Sequence, residues 1–470
     1  MAAAGAAAAV AEGAARCRLF LGTVVHSIRV PELRVLKDHL VGVGPDGHIA
    51  FVGPAADEAQ LVAATAVPPD QWDRVVLEPT QWLMPGLIDA HVHASQYLYT
   101  GTGYDMELLD WLTTYTFPTE AKYADRGFAT AAYSKAVNRH VRNGTTLACY
   151  FGTIHREGTM ALAAAVAAAG QRAFVGKVCM DRNAPDYYVE STADSIADTT
   201  AFVEDVVALR NPLIEPVITP RFVPTCSTEL MTGLGTLAKE RSVLVQSHLS
   251  ESKAEVAWVR DLHPDQPSYT AVYESHGLLN QDRTVMAHCI HLDDHEIATL
   301  KRRGTGVAHC AASNINLMSG FMPIRKLLDA GVKVGLGTDV AGGHSPSILD
   351  AARQAIAVSK VRHITDPKVA PLSWKEALAI ATLGGARALG MDGKVGNFAI
   401  GKSFDAIIAD VATVGSPIDV QPADSVDDLI SKFVFLGDDR NITAVYVQGI
   451  DRLPACLAAA PACIPIPEGQ

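Results

Sequence analysis

His91 and His93, separated by one valine at the end of the apolar run Leu87-Ile88-Asp89-Ala90, are the first residues whose spacing suggests shared chemistry. Residues i and i+2 share one face of a strand, so the two imidazoles point the same way. Imidazole is the commonest metal ligand. Further along, His248 is followed at +3 by Glu251, and His288, His309 and Asp339 each stand within or at the end of an apolar run. Each alone reads as a satisfied core residue; their recurrence at strand ends argues for a site. Three histidines and one aspartate suit a divalent ion such as Zn²⁺, or equally Fe²⁺, with a position left for water, whose pKa the ion lowers toward ~7. Glu251 follows a ligand too closely to bind the same ion and suits a proton shuttle between water and a substrate nitrogen. His288 reads either as another ligand or as the group that orients the hydroxide. Asp339 can both bind metal and accept a proton.

These residues need a scaffold that brings strand ends together. From Leu87 onward apolar strands alternate with amphipathic helices. Strands are expected at LIDAHVH, 145–153, 172–180, 215–223, 243–251, 284–291, 306–314 and 332–340. Eight strands with helices between them predict an α/β fold, a (β/α)8 TIM-like barrel, whose chemistry sits at the C-terminal strand ends. The flanking parts are β-rich, which predicts a small β-sandwich built from both chain ends. The expected division is a flexible Ala-rich tail over 1–17, a composite sandwich of 18–83 plus 391–455, a hydrolase barrel over 84–390, and a C-terminal tail over 456–470. The segment GVGPDG formally matches a dinucleotide fingerprint, but it leads into HIAFVG, another strand, and so reads as a hairpin turn.

The formal net charge of −12 argues against nucleic acid or an anionic membrane as the main partner. It leaves room for a small neutral or cationic ligand. Eight cysteines without a CxxC pair suit a reducing compartment. No targeting segment and no run of ~18 strongly apolar residues is evident, so the protein is expected to be cytoplasmic. Binuclear hydrolases on this scaffold commonly use a modified lysine at the end of strand four, where this chain reads Thr219-Pro220-Arg221-Phe222. Arginine cannot be carbamylated, and Lys177 in strand three reads as structural, so one metal per chain is expected.

The phrases PGLIDAHVH, QSHLSE, MAH and GLGTDV together resemble the amidohydrolase superfamily in its mononuclear aminohydrolase branch. MPGLIDAHVHASQY, WLTTYTFPTE, NGTTLACYFGTIH, GQRAFVGKVCMD, ITPRF and FLGDDRNI narrow the resemblance to the guanine deaminase family, in order along most of the chain. The resemblance implies Zn²⁺ held by His91, His93, His248 and Asp339, with Glu251 as proton shuttle and His288 beside the water. It implies that His93, Gln96, Arg221, Phe222, His248, Glu251 and Asp339 contact guanine, and that the protein is a homodimer. Gln96 offers a donor and an acceptor, Arg221 a fixed fork and Phe222 an apolar face. One departure stands out: the family pattern HCPxSN reads here His309-Cys310-Ala311-Ala312-Ser313-Asn314. Losing the proline frees a backbone dihedral and restores an N–H. The rival readings are an aminohydrolase for a pterin, a triazine or an adenine nucleoside, and a scaffold that has lost catalysis. A cytidine-deaminase site, which needs HxE with PCxxC, has no counterpart in the sequence.

Overall fold

The computed structural model describes residues 17–459. The expected terminal tails therefore lie outside the described residues except for Cys17, which opens a strand, and 456–459, which close a short helix over Leu453–Ala458.

Eight strands form a parallel barrel: β1 (Leu87–His93), β2 (Thr145–Phe151), β3 (Arg172–Gly176), β4 (Ile214–Pro220), β5 (Leu244–Leu249), β6 (Thr284–His288), β7 (Gly306–His309) and β8 (Lys333–Leu336). Neighbours pair in chain order, and a short extension of β3, Val178–Cys179, pairs with the end of β4. The interior is filled by alternate residues of the strands, among them Ala90, Cys149, Phe174, Val217, Val285 and Ala308, so the barrel is a packed core and not a pore.

Closure between β1 and β8 is made just past β8. Asp339 N–H donates to the His91 carbonyl at 3.0 Å and His93 N–H to the Val340 carbonyl at 3.1 Å. Asp89, fully buried, accepts from Thr338 N–H at 3.0 Å and from the Thr338 hydroxyl at 2.5 Å. The seam that closes the barrel thus runs through the segments carrying three of the candidate ligands.

The first strand keeps the bounds its sequence announces, and the other seven are shorter than their hydrophobic runs. The run over 306–314 stops at His309, and Ala311–Asn316 is a helix. The run over 172–180 breaks at Lys177, and that over 215–223 ends at Pro220. At several rim positions the chain turns through left-handed backbone: Ser250 (φ 51°), His288 (φ 70°), Cys289 (φ 51°) and Asp339 (φ 47°). Apolar patterning detects burial, and Ser250, Cys289 and Asp339 are buried without being in the ladder, while His288 is the last paired residue of β6.

Both chain ends join a second sheet. Its strand order is Ile450–Asp451, Ile442–Val447, Ala406–Asp410, Gln81–Pro85, Cys17–Arg29, Glu32–Val43 and Ile49–Pro54, with Trp72–Val76 also paired to Cys17–Arg29. GVGPDG is the turn between two antiparallel strands, as its sequence context implies. Phe20, Phe404 and Tyr446 pack together across the residues contributed by the two ends. Gly86 passes the chain from this sheet into β1; a Cβ there would meet Thr146 Oγ1 at 2.0 Å, so only glycine fits the passage. Arg172, at the start of β3, donates from Nε to Asp405 Oδ2 at 2.8 Å and from Nη2 to Oδ1 at 3.2 Å, a buried fork that fastens the barrel floor to the sheet.

Candidate active site

The end of β1 delivers His91 and His93, the end of β5 delivers His248, and the chain just past β8 delivers Asp339. One ligand atom from each of these four residues lies within 4.8 Å of the others, and all four residues are buried. His91 Nε2 and His93 Nε2 stand 3.1 and 3.5 Å from Asp339 Oδ1, and His93 Nε2 stands 3.0 Å from His248 Nε2. His248 Nδ1 donates to the Arg221 carbonyl at 2.6 Å. That bond fixes the tautomer and leaves the lone pair on Nε2 turned toward the cluster, the orientation a metal ligand needs.

The electrostatics agree. Burial holds His93 and His248 well below the usual histidine range, and lowers His91 as well, so the imidazoles are neutral. Burial pulls the Asp339 carboxyl upward, but His91, His288 and His93 outweigh it and hold the group far below the ordinary carboxylate range. Three neutral nitrogens and one carboxylate converging in a buried cleft are a donor set for one divalent cation.

His288 stands beside this set. Its Nδ1 donates to Asn314 Oδ1 at 2.9 Å, and its Nε2 lies 3.4 Å from Glu251 Oε2 and 3.7 Å from Asp339 Oδ2. Burial pushes the Glu251 carboxyl up to about 8, with His288 pulling it down and Glu255 pushing it further up. A divalent cation held by the four ligands would lower that value and favour the ionised carboxylate. Glu251 also accepts a bond from Ser319 Oγ at 3.3 Å, and its own N–H donates to Glu255 Oε2 at 2.9 Å.

His93, Gln96, Arg221, Phe222, His248, Glu251, His288 and Asp339 all line one pocket, walled by Leu108, Trp111, Leu112 and Leu317. His91 lies behind it, against the same ligands. Two residues flagged by composition fall elsewhere. His309 is fully buried but joins neither the four-ligand cluster nor the smaller group His288, Cys310 and Asp339. The flanking residues Ala308 and Cys310 pack in the barrel interior, which sends His309 to the opposite face. Lys177 pairs with Glu190 at 2.5 Å, as a structural residue should.

Sequence reasoning assigned no role to Asn314 or Glu120. Asn314 holds His288 and comes from the helix that replaces the end of the expected seventh strand. Glu120, buried, lies 2.6 Å from Arg221 Nη1 and closes WLTTYTFPTE, a phrase that carries no metal chemistry of its own. That absence was the available signal: a single acid closing an otherwise uncharged run needs a partner if it is buried.

The sequence profile of the amidohydrolase family matches residues 82–450. The chain belongs to the amidohydrolase family. Among its amidohydrolase relatives, the guanine deaminase of Dictyostelium discoideum is 44% identical over 438 residues, 92% of this chain and 97% of that protein. The guanine deaminase of Homo sapiens is 44% identical over 442 residues, 93% of this chain and 96% of that one. Among solved amidohydrolase structures, guanine deaminase from C. acetobutylicum with bound guanine in the active site superimposes with a TM-score of 0.84 at 37% identity, covering 93% of this chain and 99% of that one.

Proposed function

We infer that the protein is a guanine deaminase that hydrolyses the C2–amino bond of guanine, giving xanthine and ammonia. The observation that carries this reading is one pocket in which a purine cradle (Gln96, Arg221, Phe222), a proton carrier (Glu251) and the four-ligand cluster face each other. It is supported by guanine deaminases at 44% identity across nearly the whole chain.

His91, His93, His248 and Asp339 would hold one Zn²⁺, which supplies Lewis acidity and makes water acidic at neutral pH. Arg221 and Gln96 bind the polar edge of the base, and Phe222 covers a face of the ring. Glu251 takes a proton from the attacking water and passes it to the ring nitrogen beside C2 as oxygen adds to that carbon. Glu251, with Asp339, then carries the proton of the new C2 hydroxyl to the amino group; the C2–N bond breaks, ammonia leaves and C2 becomes the 2-oxo carbon of xanthine. His288, locked by Asn314, orients the water. In this reading 84–390 is the catalytic unit, with 18–83 and 391–455 forming its supporting sheet, and the enzyme acts as a cytoplasmic homodimer, a state that light scattering checks.

The deciding experiment follows guanine conversion to xanthine by purified protein, with metal analysis of the same sample. Turnover with about one zinc per chain, lost on chelation and restored by Zn²⁺, supports the reading. Metal-loaded protein that leaves guanine untouched would overturn it.

A further inference from the structure

Glu120 closes a short helix, Phe117–Glu120, and is wholly buried beside the purine cradle. It touches no candidate metal ligand, yet it is the point on which the cradle converges. Its Oε2 accepts from Arg221 Nη1 at 2.6 Å and from the Tyr188 hydroxyl at 2.8 Å. Its Oε1 accepts from Gln96 Nε2 at 3.1 Å, from Arg221 Nη2 at 3.3 Å and, at the limit of bonding, from Ser95 Oγ at 3.5 Å.

Two consequences follow for the groups that face the substrate. The guanidinium of Arg221 is held from one side by the carboxylate and sits over the Phe117 ring at 5.2 Å, so its remaining N–H groups have a single aim. The amide of Gln96 is fixed in polarity, because its Oε1 accepts from Ala341 N–H at 3.2 Å while its Nε2 donates to Glu120. Turned over, the amide would set two donors face to face at Ala341 and two acceptors face to face at Glu120. The carboxylate thus decides which hydrogen-bond pattern the pocket presents. A guanidinium is a donor without acceptor capacity and calls for an acceptor on the substrate; among the acceptors of guanine, the 6-oxo group is the exocyclic one.

We propose that Glu120 is a positioning residue that sets the hydrogen-bond polarity of Arg221 and Gln96 and thereby selects a ring bearing an oxo group at C6, across N1 from the carbon that loses its amino group. This rests on the guanine reading above. A site built to hydrogen-bond a substrate group rejects the analogue lacking it, and that rejection disappears when the site's own groups lose their fixed direction.

The test compares guanine with 2-aminopurine, which keeps the 2-amino group and lacks the 6-oxo group. For the unaltered enzyme kcat/KM should favour guanine strongly. In Glu120→Gln, kcat/KM for guanine should fall about 10- to 100-fold, chiefly through KM, while that for 2-aminopurine changes less than about threefold and zinc stays at about one per chain. Equal losses on both substrates, or an unchanged preference, would overturn the proposal. An unaltered enzyme inactive on guanine would instead bring down the underlying reading. Because Glu120→Gln leaves Arg221 buried without its countercharge and could block folding, Tyr188→Phe provides an independent arm. It removes one bond to Glu120, together with a long bond accepted from Ile154 N–H at 3.4 Å, and should raise KM for guanine about three- to tenfold with kcat within about twofold, again sparing 2-aminopurine. An unchanged KM for guanine in Tyr188→Phe would also count against it.

Discussion

Glu251 is the residue on which the chemistry should depend most. It lies in the substrate pocket, outside the four-ligand set and 3.4 Å from His288. Glu251→Gln keeps the shape and removes the proton carrier. We expect kcat to fall about 10²- to 10⁴-fold with zinc content unchanged, measured by xanthine formation and metal analysis on one preparation. A variant that lost its metal would mean that Glu251 is a ligand after all. At this scale most of the site could be read from the chain, since a histidine pair at i, i+2 or a histidine and glutamate three apart signal themselves locally. Glu120 and Asn314 did not, because what defines them is a partner far away. Glu120 meets Arg221 across 101 positions and Asn314 meets His288 across 26, and no local pattern records such a pairing.

Among the elements, the seam between β1 and β8 decides whether ligands from the two segments stay in register. Thr338→Val removes the hydroxyl that donates to Asp89 and leaves that buried carboxyl, already pushed up to about 7 by burial, with one bond fewer. Unfolding free energy should drop by about 1–3 kcal/mol in denaturant titrations, and zinc should dissociate faster to a competing chelator. The altered strand-seven phrase has a milder consequence. Ala311 is the first residue of the helix Ala311–Asn316, a position where proline's missing N–H is an orphan anyway. Ala311→Pro should therefore fold, raise stability by up to about 1 kcal/mol in thermal melts, and leave turnover within about twofold. The eight-strand count was legible because burial alternates with amphipathic helices. The strand ends were not, because the pocket walls are as buried as the ladder they extend.

For the whole molecule, acid sensitivity has an identifiable contributor far from the pocket. His26 lies in the second sheet, stacked on Phe398, with Nδ1 accepting from Phe398 N–H at 3.3 Å. Burial, aided by Arg34, His39 and Lys402, lowers it from 6.5 to about 4. The unfolded chain therefore binds this proton first, so stability contributed by the neutral ring is complete above about 6.5 and drains away as pH falls toward about 4. Replacing it, as His26→Gln, should reduce the loss of unfolding free energy between pH 7 and pH 4.5 by about 2–3 kcal/mol, read from denaturation curves at both values. An identical pH slope in both proteins would place the sensitivity elsewhere.

The sheet shared by the two chain ends also has a temporal side. The strand Gln81–Pro85 lies between Cys17–Arg29 and Ala406–Asp410, so one of its two neighbours is made almost at once and the other very late. At a synthesis rate of about 5–20 residues per second, the wait is roughly 15–60 seconds. Every candidate metal ligand has been made by Asp339, well before that second neighbour is made. For that interval a nascent chain carries a complete set of ligands above an unfinished foundation, with the apolar Trp82-Leu83-Met84 edge open to any strand that comes near.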